Sequence, residues 1–80
     1  MDLQEWLRRQ RGARSILAFA EHLSAAGFPV TDAALSRWET GARIPSLESI
    51  AGLADALGLS AGQRLDLYDL VAKTRQRESA

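Results

Sequence analysis

The sequence predicts an all-α fold, a compact bundle of five helices. Three observations carry this. Apolar residues recur at spacings of three and four along most of the chain, the segments holding them open on Asp, Ser or Thr and close on Gly, and no internal repeat or low-complexity stretch interrupts them. Eighty residues suffice for one domain, and a chain this short buries only about 60–65% of its unfolded surface, which leaves little room for a large cleft.

The first helix spans Asp2 to Arg11, with Asp2 as its cap, Leu3, Trp6 and Leu7 at i, i+3 and i+4, and Gly12 at its end. Ser15 opens the second, which carries Leu17, Ala20 and Leu23 on one side with Phe19 beside them and runs through Ala26 to Gly27. The stretch GFPVT breaks the chain, because Pro29 has no N–H to donate and biases Phe28 away from helical geometry. Thr31 caps a short third helix, Asp32 to about Thr40, in which Leu35 and Trp38 share a face and which Gly41 closes. Ser46 caps a fourth helix through Leu57, with Leu47, Ile50, Leu53, Ala54 and Leu57 in one stripe and Gly58 as its stop. Ser60 and Gln63 stand at capping-box spacing and begin the fifth, whose apolar face is Leu65, Tyr68, Val71 and Ala72. Leu67 and Leu70 lie off that face. Residues 1–74 are expected to form the domain and residues 75–80 a frayed tail.

Composition narrows the function. The chain has no cysteine and a single histidine, His22, so neither disulfides nor thiolate or histidine-rich metal sites are expected. His22 stands on the polar side of the second helix as a solvated residue. Apolar runs are too short for a membrane span or a signal peptide, so the expectation is a soluble, cytoplasmic protein. Ser15, Ser24, Ser36 and His22 form no nucleophile–base set with a positioned acid, so no catalytic residue, no metal and no cofactor is expected. Ten basic residues balance ten acidic ones. A phosphate-binding surface therefore has to come from uneven placement of charge. Arginine outnumbers lysine nine to one, in the manner of a GC-rich bacterial coding sequence.

The segments FAEHL (Phe19 to Leu23), SRWETGARIPSLESIAGLADALGLS and, within it, IAGLADALG carry a resemblance. They are similar to the second, third and fourth helices of the Cro/cI-type, XRE-like helix-turn-helix family of bacterial and phage DNA-binding regulators. The resemblance runs from about Leu7 to Ser60, and the Trp-Glu-x-Gly-x-Arg-x-Pro-Ser cluster is its most specific part. It implies a lambda-repressor-like bundle and a role in transcription regulation. Two features depart from the family pattern. SAAGFP lengthens the turn between the second and third helices, and Ile16 stands where the family often places a glutamine that steadies a phosphate contact. The stretch GFPVTDAALSR also resembles the reading-helix region of winged-helix arginine-repressor-type proteins, but no strand-like wing follows it.

The third helix can be read physically. It is too short to persist alone. Its Leu35–Trp38 side is expected to dock on the second and fourth helices, with Trp38 in the core. Asp32, Ala33, Ser36 and Arg37 then face outward, small enough at Ala33 and Ala34 to enter a major groove about 12 Å wide. Arg37 can grip a guanine edge or a phosphate, and Asp32 can either complement the helix dipole or accept from cytosine. Gly41 to Ile44 form a loop that brings Arg43 to the sugar-phosphate chain, and Glu39 is expected to pair with an arginine of that loop. Ser15 at the start of the second helix, Arg14 beside it, and Thr31 and Thr40 at the ends of the third are further phosphate candidates. Arg8, Arg9 and Arg11 are either a basic surface in the same half of the protein or an ordinary solvated face.

One such helix reads few base pairs, so the expected agent is a homodimer on a pseudo-palindromic operator of double-stranded DNA, with Leu67 and Leu70 at the dimer contact. A repressor is the first reading. A protein-interaction module of the same fold, such as an antitoxin that wraps a toxin or a fragment docking on a larger regulator, is the alternative, and zero net charge favours it slightly.

Overall fold

The computed structural model describes residues 1–79. Its helices are α1 (Leu3–Arg11), α2 (Ile16–Ala25), α3 (Asp32–Thr40), α4 (Leu47–Leu57) and α5 (Ala61–Ser79). Each starts where the sequence supplies an acceptor for its orphan amides. Asp2 Oδ1 accepts from Glu5 N at 2.7 Å, Ser15 Oγ from Ala18 N at 3.0 Å, and Thr31 Oγ1 from Ala34 N at 3.1 Å. Ser46 Oγ accepts from Ser49 N at 3.1 Å. Ser60 and Gln63 close the full capping box, Gln63 N donating to Ser60 Oγ at 3.2 Å and Ser60 N to Gln63 Oε1 at 2.9 Å. Such a cap stabilises its helix by about 1 kcal/mol.

The lengthened turn after α2 is ordered by its own hydrogen bonds. Phe28 N donates to Leu23 O at 3.0 Å and Gly27 N to Ser24 O at 3.1 Å, the pairing of a Schellman stop, with Gly27 at φ +97°. Phe28 then folds onto α4. A Cβ added at Gly52 would lie 2.6 Å from Phe28 Cδ1, so the glycine is what lets the ring lie against the helix backbone.

α1 packs against α3 and α5, and α2 packs against α3 and α4. The core between them is Leu3, Leu7, Phe19, Ala20, Leu23, Leu35, Trp38, Ile50, Leu53, Ala54, Leu67 and Val71, with Trp6, Ile16, Phe28, Val30, Ile44 and Tyr68 packed around it. The Cα radius of gyration is 11.9 Å, close to the roughly 11.6 Å expected of a compact chain of this length.

The structure corrects several expectations. The principal neighbours of α3 are α1 and α2, so α1 takes the place foreseen for the fourth helix. Leu17 and Leu47 are exposed, although each belongs to an apolar stripe in the sequence. On α5 the inward side is Leu67 and Val71; Leu67 is fully buried while Leu65 is 71% exposed and Ala72 also faces solvent. Leu67 is thus a core residue, with no surface to offer a second copy, and Leu70 is half-buried. Leu65 and Leu67 point about 160° apart on a helix, and α5 has apolar residues on both sides, so its periodicity does not select a face. Helix continues past Arg75 to Ser79 where fraying was expected, and Ala80 lies outside the described residues.

Candidate nucleic-acid interface

Burial divides α3 cleanly. Leu35, Trp38 and Glu39 are buried, while Asp32, Ala33, Arg37 and Thr40 are exposed and Ala34 and Ser36 half-buried. At about 100° per residue, Asp32, Ser36, Thr40, Ala33 and Arg37 occupy one arc of about 140°. A convex ridge of small side chains with one guanidinium therefore stands clear of the bundle. Trp38 is in the core, and His22 is exposed.

The other candidate site residues are hydroxyls and arginines. Ser15 and Thr31 are exposed and use their oxygens to accept the capping bonds, which leaves each O–H proton available to an outside acceptor. Thr40 Oγ1 donates to Arg37 O at 3.3 Å, so its proton is engaged within the helix. Gly41 leaves α3 in the left-handed conformation, φ +81°, and Arg43 N donates back to Arg37 O at 3.2 Å. That bond folds the loop against the end of the helix and brings Arg43 beside Arg37. Both line one cleft with Trp38, Ile44, Ser49 and Arg75.

The ion pairs sort the basic residues of this neutral chain. Arg9, Arg11, Arg64 and Lys73 pair with Glu5, Glu39, Asp55 and Asp69 at 2.8–3.2 Å. Arg14, Arg37 and Arg43 are exposed, and none of the ion pairs among the described residues involves them. Glu5, Glu39, Asp55 and Asp69 are thus taken up by bases other than these three arginines, and the one acid on the exposed arc of α3 is Asp32.

The back of α3 is held by α1. Arg11 Nε donates to both carboxylate oxygens of Glu39, at 3.0 and 3.1 Å, Arg11 Nη1 donates to Arg14 O at 3.0 Å, and Arg8 Nη1 donates to Glu39 O at 3.0 Å. Glu39 therefore pairs with α1 and not with an arginine of its own loop. Of the first-helix arginines, two point toward α3 and Arg9 pairs with Glu5. The sequence offered no means of choosing Arg11 among three neighbouring arginines. Arg75, in the segment expected to be a frayed tail, also lines the cleft beside Arg37 and Arg43; the apolar run to Ala72 that carries helix toward it is the available signal.

The described residues contain no group of three or more His, Cys, Asp or Glu able to hold a metal ion, and no helix among them is long and apolar enough to cross a membrane. A family model described as a helix-turn-helix domain matches residues 5–67, which takes in the α3 ridge, both capping hydroxyls and Arg43. No curated protein and no solved structure matches the chain.

Proposed function

The chain belongs to the helix-turn-helix domain family, within the broad Cro/cI-like group of DNA-binding regulators, and from that membership we propose that it is a sequence-specific transcriptional repressor. It acts by occupying an operator, without chemistry, in the cytoplasm of a bacterial or phage-infected cell. The single observation that carries this reading is the exposed arc of α3, where Ala33 and Ser36 permit close approach and Arg37 is outside every ion pair among the described residues. In this reading Asp32, Ala33, Ser36 and Arg37 meet base edges in the major groove. Arg14, Ser15, Thr31 and Arg43 meet the phosphates on either side, whereas Thr40, a phosphate candidate from its place at the end of α3, keeps its proton on Arg37 O.

A single ridge of this length reads few base pairs, so two copies act on half-sites about one helical turn apart. Leu67 being internal, the α5 side chains left for a dimer contact are the half-buried Leu70 and the exposed Leu65. Selection of bound duplexes from a random library, with affinities measured at two salt concentrations, tests the whole reading. Two spaced half-sites in the winners support it, and absence of enrichment overturns it.

One observation favours a second reading, an antitoxin-like or other protein-interaction module. Met1, Trp6, Leu59 and Leu70 line a groove between α1 and α5, edged by Asp66 and Asp69, on a side chain set separate from the α3 ridge. Under that reading neither Arg37→Ala nor Arg43→Ala changes binding to nucleic acid.

A further inference from the structure

We propose that Phe28 is a positioning residue for the exposed arc of α3: its ring, seated where Gly52 leaves α4 bare, fixes the N-terminal end of that helix and through it the base preference of the arc. The inference rests on the DNA-binding reading and deepens it, since Phe28 touches no base and acts through Asp32, Ala33, Ser36 and Arg37. The two ends of α3 are held by different means. Near its C-terminal end Glu39 accepts hydrogen bonds from Arg8 and Arg11 of α1. At its N-terminal end Thr31 caps the helix from within, and the lengthened turn leads directly into that cap. A hollow lined by Phe28, Val30, Ala34, Trp38 and Ser49 lies between the start of α3 and α4. α4 is not among the principal neighbours of α3, so it bears on the start of that helix chiefly through the turn.

Phe28 is the point at which the turn is pinned on both sides. Its N–H donates to Leu23 O of α2 at 3.0 Å, and its Cδ1 and Cε1 lie 2.6 and 2.7 Å from where a Cβ on residue 52 would stand. The ring therefore occupies space that any residue other than glycine would fill. Three residues separate it from Asp32. Of these, Pro29 has its φ fixed by its ring, and Thr31 is extended at φ −90° and ψ 155°. A link this short and stiff has little slack, so a displaced ring moves the first turn of α3 with it. Hydrogen bonds to base edges weaken steeply with misalignment, whereas phosphate contacts by long arginine side chains follow a small shift. The cost of losing Phe28 therefore falls on base preference before general affinity.

The test uses the full chain with Phe28→Ala, Gly52→Ala and both together, titrated at several salt concentrations against the duplex selected by the wild type and a scrambled duplex. Leu67→Ala, a core change on α5 remote from the turn, serves as the destabilised control, and all affinities are measured where circular dichroism shows the chain folded. Each single variant is expected to lose about tenfold in its preference for the selected duplex, the order of one base contact, at an unchanged salt slope. The double variant should lose no more than Phe28→Ala, because without the ring the added methyl displaces nothing. Phe28→Leu takes the place of Phe28→Ala if the latter does not fold. An unaltered preference in either single variant overturns the proposal, as does equal weakening on both duplexes. A Leu67→Ala variant that loses as much preference overturns it too, since general loosening then suffices. Wild-type protein that binds no duplex, or binds all alike, overturns the DNA reading and this inference together, whereas a selective wild type with unaffected variants removes only the inference.

Discussion

Arg11 and Glu39 stand 28 residues apart and meet between α1 and α3, with Arg11 Nε 3.0 Å from one carboxylate oxygen and 3.1 Å from the other. The Glu39 side chain is only 5% exposed and that of Arg11 26%. A carboxylate so placed needs its partner, because an unpaired buried charge costs far more than a surface pair contributes. The pair anchors the rear of α3 and thereby aims its outer arc. Arg11→Ala is expected to lower stability by about 2–4 kcal/mol. A double-mutant cycle with Glu39→Ala in urea denaturation should show a coupling of about 1–3 kcal/mol. A coupling near zero would show that the two residues contribute independently.

At Gly52 two physical effects oppose each other. Alanine is the better helix former by about 1 kcal/mol, yet its Cβ would sit 2.6 and 2.7 Å from two ring carbons of Phe28. Overpacking of that kind costs about 1–3 kcal/mol, so Gly52→Ala is expected to destabilise the protein and loosen the turn before α3. In a Phe28→Ala background the clash is gone and the same substitution should stabilise. Thermal melts of the four proteins check this reversal of sign.

Arg37 and Arg43 should separate by what they lose. Arg37→Ala is expected to relax preference at one base position by about 1–3 kcal/mol, whereas Arg43→Ala should weaken all duplexes alike and lower the salt slope by about 1. Both side chains are exposed, so neither change should move the melting temperature appreciably. Equal losses on every sequence for both variants would assign Arg37 to a phosphate.

Thr31 allows structure and binding to be varied apart. Its Oγ1 caps α3 at 3.1 Å from Ala34 N, and aspartate caps a helix at least as well as threonine. Thr31→Asp should therefore keep full stability while placing a negative charge against a phosphate. Loss of DNA affinity at unchanged unfolding free energy is the expected outcome, and undiminished affinity would remove Thr31 from the interface.

The three leucines of α5 predict three different phenotypes. Leu67→Ala empties a fully buried site and should cost about 2–5 kcal/mol, read by denaturation. Leu65→Ser alters a side chain that is 71% exposed and should leave the fold intact while weakening any dimer. Leu70→Ser should do the same to a lesser degree at the cost of some stability. Sedimentation equilibrium of the Leu65→Ser, Leu70→Ser double variant decides: a dimer as tight as wild type excludes this face.

Helix boundaries were legible in the sequence because their causes are local. Asp2, Ser15, Thr31, Ser46 and Ser60 each meet an amide three residues on, and Gly41 and Gly58 supply left-handed stops within the same few residues. The outward arc of α3 was legible for a similar reason, since Leu35 and Trp38 form one unambiguous apolar side.

Tertiary structure decided everything that depends on which helices meet. The inward side of α5 was chosen by packing against the rest of the core, which buries Leu67 and leaves Leu65 in water. Packing also chose Arg11 over Arg43 as the partner of Glu39, and set Arg75 against Pro45. These contacts join residues about thirty positions apart, and the interchangeable arginines of a short helix carry no local mark of which one will turn inward. The sequence by itself determined where each helix begins, where the first four end and which side of α3 is exposed. Only the packed bundle determined what holds α3 in place and which charges remain outside to meet a partner.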